Sequence, residues 1–339
     1  MSARNPRHRL LRWGLPRTPR ATENILTFVV VTVLTVAVTR ALLAATGFPQ
    51  VGGDSLHVAH VLWGGLLMAV AVVLALSFAG PLVRPWVAFV GGVGFGLFID
   101  EVGKFLTSDN DYFFAPAPMI MYATVVVLMV AVDALHGRRP HHGTEYVAAA
   151  ADHAVAGVAG GLSAQRRATA EDLLARGAHA RGRAEVEALL AAIPPDEDEV
   201  PDPVTAAVYR LRHLFQAVAT ERRATVVTSV LLVLVAAGTA TTAAATFGAG
   251  PVWAEIVVAA SVVLSLAACV RAWTILRSDR YAAVQWLRRG VLVNLLITQV
   301  GLFRIAPWPA TACLLLALAT LGVVAAEKHR LERDHAAPA

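Results

Sequence analysis

Eight apolar stretches, each close to the length that crosses a bilayer, constrain this 339-residue chain more than anything else in it: 25–47, 57–79, 84–106, 117–136, 224–246, 252–272, 288–305 and 308–327. About 20 consecutive apolar residues span the hydrocarbon layer as a helix. Only helices and closed barrels satisfy every backbone polar group there. A soluble domain of this length could build a large core, but it has no use for such stretches in series. The overall 57% hydrophobic and 16% charged composition points the same way. The expected fold is all-α: a polytopic membrane protein with about eight transmembrane helices and a helical cytoplasmic insert. The stretch 288–305 is the shortest of the eight.

A formal net charge of +5 invites a nucleic-acid partner, but its distribution argues against one. Arg4, Arg7, Arg9, Arg12, Arg17 and Arg20 precede the first stretch, and Arg84 lies between the second and third. Arg271, Arg277, Arg280, Arg288 and Arg289 cluster at the facing ends of the sixth and seventh and the connection between them, and Lys328, Arg330 and Arg333 follow the last. Alternate connections carry little beyond Lys104 and Arg304. This is the positive-inside bias. It predicts a multi-pass protein of the cell membrane with both termini and the long middle segment in the cytoplasm. The first stretch is too long for an ordinary cleaved signal and is interrupted by Arg40, so it reads as an uncleaved helix. Cys269 and Cys313 fall in the sixth and eighth stretches, toward opposite faces, where they act as small buried hydrophobes rather than a metal motif.

The order along the chain predicts a basic cytoplasmic N-terminus (1–24), a four-helix membrane domain (25–137), a cytoplasmic helical segment (138–223), a second four-helix membrane domain (224–327) and a cytoplasmic tail (328–339). The segment 138–223 is rich in Ala, Arg and Glu, which favour helix. Short amphipathic helices are expected over 168–175 and 183–193, with a turn at Pro194-Pro195 and a longer helix over 203–223. This segment is a candidate surface for a protein partner or a plain juxtamembrane linker. His141 and His142 read as loop residues. Asn294 and Thr298, four apart, share a helical face suited to interhelical hydrogen bonds.

Ionisable groups concentrate in the first membrane domain. Each costs roughly 2.5–3.5 kcal/mol at bilayer depth on insertion scales. The second stretch opens on His57 and His60, and the third closes on Asp100, Glu101 and Lys104. In consecutive antiparallel helices these ends meet at one face, the extracytoplasmic one by the charge bias. Asp54 precedes the histidines, and Arg40 sits at a comparable depth in the first stretch, so it should pair with Asp100 or Glu101. Gly92, Gly96, Asp100 and Lys104 recur at four-residue steps, a small-residue stripe that admits close helix approach. Asp109, Asp111 and Tyr112 follow in the next connection.

Several chemistries fit. His57, oriented by Asp54 or Glu101, can act as base or nucleophile, with Arg40 and Lys104 holding a phosphate and His60 and Asp100 as further catalytic candidates. The two histidines and a carboxylate can ligate a zinc-like ion. The acids and histidines can relay protons or cations in a transporter or sensor. The same residues can also form a purely structural ion-paired bundle. No residue pattern indicates a particular cofactor.

Residues about 50–125 resemble the VanZ-like membrane proteins, which share features with four-helix enzymes acting on lipid headgroups, base-exchange phosphatidylserine synthases among them. The resemblance lies in Asp54-Ser55-Leu56-His57 and in Gly92 through Gly96 to Asp100 and Glu101. Gly103-Lys104 departs from it where a polar residue such as Gln follows the acid. The downstream Asp…Asn…Gly signature is absent unless Asp111 begins it. The resemblance implies chemistry on a lipid or lipid-linked phosphoester at the outer leaflet, with membrane lipids as partners.

Overall fold

The structure is a computed structural model that describes residues 11, 13–46, 60–108, 114–132, 134, 141–196, 206–207, 210, 224–248 and 250–336. The named elements among these residues are all helical. Six helices are long and apolar enough to cross a membrane: Ala21–Thr46, His60–Ser77, Val83–Asp100, Thr225–Ala245, Val252–Ile275 and Pro307–Glu327. A shorter apolar helix covers Ala117–Val132. The expected stretch 288–305 is divided among the end of one helix, a π-helical turn and a short helix. The expected helix over 203–223 lies largely outside the described residues.

The chain forms two compact groups: residues 1–100 with 127–206, and residues 101–126 with 207–339. In the first, α1 (Ala21–Thr46), α2 (His60–Ser77) and α3 (Val83–Asp100) make a bundle. Glycines make α3 its centre. A Cβ added to Gly92 would lie 2.7 Å from Phe28 O, and one on Gly96 would lie 2.7 Å from Thr35 Cβ. On its other face, a Cβ at Gly94 would meet Gly64 O and Met68 N, each at 2.8 Å. The pairings fix direction. Phe28 to Thr35 rises with Gly92 to Gly96, so α1 and α3 are parallel; Gly64 faces Gly94 while Ala71 faces Gly91, so α2 is antiparallel. Thr32 Oγ1 donates to Gly92 O across the first contact at 3.2 Å. The large side chains that turn away from this bundle, such as Leu34, Val38, Leu62 and Val73, are exposed, as lipid-facing positions require.

Two shorter helices follow along the chain, α4 (Val102–Leu106) and α5 (Ala117–Val132). The first group also contains a small helical unit made of α6 (Gly143–Gly160), α7 (Ala164–Arg176) and α8 (Arg183–Ala192). Val147, Ala150, Ala154, Leu162, Ala170, Leu174, Leu190 and Ile193 form its core. His142 is no mere loop residue: its side chain accepts from Thr144 N and Glu145 answers with the reciprocal bond, a capping box that starts α6. The last carbonyls of α8, Leu190 O and Ile193 O, each receive an Arg167 N–H at 2.7 Å.

Two ion pairs tie this unit to the bundle's connections. Arg84, at the start of α3, reaches Asp152 at 2.7 Å. Arg17 donates from its backbone N, Nε and Nη2 to the two oxygens of Glu145, each at 2.9 Å. Burial alone would push the Glu145 carboxyl up; the Arg17 guanidinium and the backbone N–H groups of His142 and Arg17 outweigh it and hold the carboxyl at about 2. His153 is buried among Arg20, Arg84, Arg166 and Asp152, and burial, with help from the arginines, pushes its imidazole down to about 4.

In the second group, α9 (Ala224–Ala245), α10 (Val252–Ile275), α11 (Arg280–Val293), the π turn Asn294–Thr298, α12 (Gln299–Ile305) and α13 (Pro307–Ala336) follow one another. Leu232, Val258, Val284, Leu287, Val291 and Leu302 are fully buried. Tyr122, from α5, donates its hydroxyl to Leu295 O and stacks on Phe303 with ring centroids 5.1 Å apart. The π turn moves the polar register: Gln299 Nε2 donates to Asn294 Oδ1 at 3.2 Å, a five-residue step, while Thr298 donates to Ser261 Oγ at 2.8 Å. Asn294 thus bonds along its own segment, while Thr298 bonds across to α10. Cys269 and Cys313 are buried free thiols.

Replacing Gly94 with Ala forces α2 and α3 apart and should cost about 1–3 kcal/mol, the usual penalty for overpacking. Gly65→Ala, with nothing within 4 Å of the new carbon, should stay within about 0.5 kcal/mol. Thermal unfolding in detergent compares the two. Acid should loosen the α6–α8 unit in two windows. Neutral His153 contributes stability that falls as pH drops from 6.5 toward about 4, because the unfolded imidazole binds the proton first, an effect of roughly 2–3 kcal/mol. Ionised Glu145 contributes stability that is lost as pH falls from 4.5 toward about 2. His153→Leu should abolish the upper window and keep the lower, as read by hydrogen exchange of residues 143–193.

Candidate functional site

The close packing of α3 decides where Asp100 goes. One turn beyond Gly96, on the stripe that meets α1, its side chain is fully buried. Because α1 runs parallel, its residues farther along reach the same level, and Arg40 lies two turns past Thr32. Because α2 runs antiparallel, its first residue, His60, arrives there too. Arg40 Nε donates to Asp100 Oδ1 at 2.6 Å, and Arg40 Nη2 donates to the Asp100 carbonyl at 3.3 Å. His60 Nε2 lies 3.1 Å from Asp100 Oδ2. The side chains of Arg40 and His60 are 21% and 23% exposed, so a buried anion is flanked by two groups at the rim.

This arrangement has a defined protonation logic. An ionised carboxylate only accepts hydrogen bonds, so His60 Nε2 must carry a hydrogen and donate it. The ring's basic nitrogen is then Nδ1. The Arg40 guanidinium opposite the Asp100 carboxylate offsets much of the cost of burying that charge. The arrangement can present an imidazole base oriented by an acid.

Glu101 pairs with Lys104. Glu101 is 1% exposed, and Lys104 Nζ donates to its Oε1 at 3.1 Å, three residues along the chain. Glu101 also stands at the N-cap position of α4, where its side chain makes no capping bond. Asp54, His57, Asp109, Asp111 and Tyr112 lie outside the described residues. Among the described residues no group of three or more His, Cys, Asp or Glu side chains is placed to hold a metal ion.

Other buried polar centres had less distinct signals in the sequence. Arg17 reads as one of several basic residues before a span, but it is 7% exposed and bound to Glu145. Glu327 closes an apolar stretch and looks interfacial; it is completely buried, with Arg280 at 3.1 Å. The detectable hint was a lone acid at the end of the last apolar stretch.

No family model, no curated protein and no solved structure matches this chain. The coarse class follows from the helices themselves: a multi-pass membrane protein whose apolar surfaces contact lipid.

Asp100→Ala leaves Arg40 without its carboxylate at membrane depth and should cost about 3–5 kcal/mol. The double replacement Arg40→Met with Asp100→Leu should recover a large share of that loss. A double-mutant cycle on detergent unfolding midpoints measures the coupling, and simple additivity of the two changes would deny it.

Proposed function

We propose that the protein acts on a lipid or lipid-linked phosphoester at the outer leaflet, with His60 as base or nucleophile and Asp100 as its orienting acid. The observation that carries this reading is the 3.1 Å contact between His60 Nε2 and a fully buried Asp100 whose other oxygen is engaged by Arg40. Asp100 fixes the ring so that Nδ1 is the reacting nitrogen. Arg40 pairs with the carboxylate and adds positive potential toward a phosphate. His60 Nδ1 would take the proton of the attacking water or hydroxyl and later return it to the leaving oxygen. The resemblance of residues about 50–125 to VanZ-like proteins is consistent with this chemistry and assigns the neighbouring Asp54 and His57 to the same catalytic stretch. In the topology that goes with it, the chain crosses the cell membrane eight times. Ala117–Val132 and 288–305 supply the crossings beyond the six long helices, and both termini are cytoplasmic.

A second reading rests on the same contact: an imidazole beside a buried carboxylate among apolar helices also suits a proton-coupled transporter or sensor.

Purified protein in liposomes with headgroup-labelled phospholipid separates the readings. Wild type should release label, and His60→Ala should lower turnover by about 10²–10⁴-fold, the usual contribution of a general base, with insertion and unfolding midpoint retained. Proton flux without headgroup loss would favour the transporter. If neither activity occurs and the variants alter only stability, the cluster is a structural lock.

A further inference from the structure

Glu327 is the one carboxylate among the described residues that is bonded through one oxygen while the other is sealed from solvent with no partner. Its Oε1 receives Thr225 Oγ1 at 2.6 Å, Arg280 Nη2 at 3.1 Å and Arg280 Nε at 3.3 Å. A guanidinium facing a carboxylate squarely places one N–H on each oxygen. Here both N–H groups converge on the same oxygen, so the negative lobe at Oε2 points elsewhere. A buried anionic oxygen without a donor or cation is costly, and something must meet it.

The packing sets which residues share the level of this carboxyl. A Cβ on Gly238 of α9 would lie 3.5 Å from Cys313 Sγ of α13, and Thr225 of α9 bonds Glu327 of α13. The two helices are therefore antiparallel. One turn back along α13 from Glu327, at Val324, the chain is level with Thr228, one turn farther along α9 from Thr225. Side chains on a helix lean toward its N-terminus, so the Glu327 carboxyl leans from the level of Thr225 toward that of Thr228. Thr228 Oγ1 is itself fully buried and without a partner. Ser229, beside it, is already committed to Thr225 O at 2.8 Å, and Asp279 caps the start of α11 through Ala282 N at 2.9 Å.

We infer that Glu327 Oε2 and Thr228 Oγ1 form a binding site for a small monovalent cation of sodium size, completed by backbone oxygen or water. One carboxylate, half neutralised by Arg280, and one neutral hydroxyl make a weak-field oxygen set, which suits a single positive charge better than a divalent ion. The ion joins α9 to α13 on the side of the carboxylate that Arg280 does not occupy. It thus completes the junction of α9, α11 and α13. This site belongs to the second group of helices and does not depend on the His60–Asp100–Arg40 reading.

The test is the unfolding midpoint of the full-length protein in detergent, titrated with sodium chloride against choline chloride at constant ionic strength. Wild type should show a saturable rise of a few degrees with sodium alone. Thr228→Val, which preserves shape and leaves Glu327, Thr225 and Arg280 in place, should remove the sodium effect; Glu327→Gln should do the same. If Glu327→Gln does not fold, the Thr228→Val titration decides alone. Equal curves in sodium and choline, or a full sodium response in Thr228→Val, would overturn the site and leave water as the partner of Oε2.

Discussion

The backbone-to-backbone approach of α3 to α1 and α2 is the constraint on which the first group of helices depends. It exists because α3 has no side chain where the neighbours touch it: Gly92 and Gly96 on one face, Gly94 on the other. In lipid there is no hydrophobic drive between helices, so association rests on van der Waals packing and polar contacts. Close approach supplies the first and makes the second possible. It brings Arg40 and His60 within hydrogen-bond reach of a carboxylate that lipid cannot touch. The ion pairs in turn oppose rotation of α3, because turning Asp100 away would leave charge in hydrocarbon. Packing and electrostatics each hold the other in place.

The second group meets the same solvent problem with different means. Its interior is held by neutral side-chain hydrogen bonds, Thr298 to Ser261, Ser265 to Gly290 and Gln299 to Asn294. The π turn at Asn294–Thr298 widens one turn of helix so that two polar residues five apart face each other. Such turns often mark functional positions. Charged contacts depart from this neutrality at Glu101 with Lys104 and at Glu327, which joins Thr225 and Arg280 from two other helices. The first group has a charged centre where α1, α2 and α3 meet, and the second has one at the start of α9 and α11.

Much of this was legible in the residues. The apolar stretches marked the long helices because length and hydropathy in a bilayer leave little choice of structure. The grouping of Arg40, His60 and Asp100 followed from helix direction and a rise of about 1.5 Å per residue. Less legible were the features that depend on rotation and register. Asn294 takes its hydrogen bond from Gln299, five residues on, a pairing that a π turn allows and ordinary helical spacing does not suggest. Arg17 could not be told from the other basic residues before the first span, since its partner Glu145 is 128 positions away. His142 carried a cap rather than a loop, a role visible only once Glu145 is seen to return the bond.

The chain's composition and apolar run lengths determined on their own that it is a helical membrane protein, and marked the six helices long and apolar enough to cross. Hydrocarbon rejects unpaired backbone, and that rule acts on each segment independently. Tertiary structure decided which buried charges meet: Asp100 with Arg40 and His60, Glu101 with Lys104, Glu327 with Arg280 and Thr225. Hydropathy carries no azimuth. The face a polar residue turns inward is set by where glycine lets another helix come close, and that is a property of pairs of helices, not of any one of them.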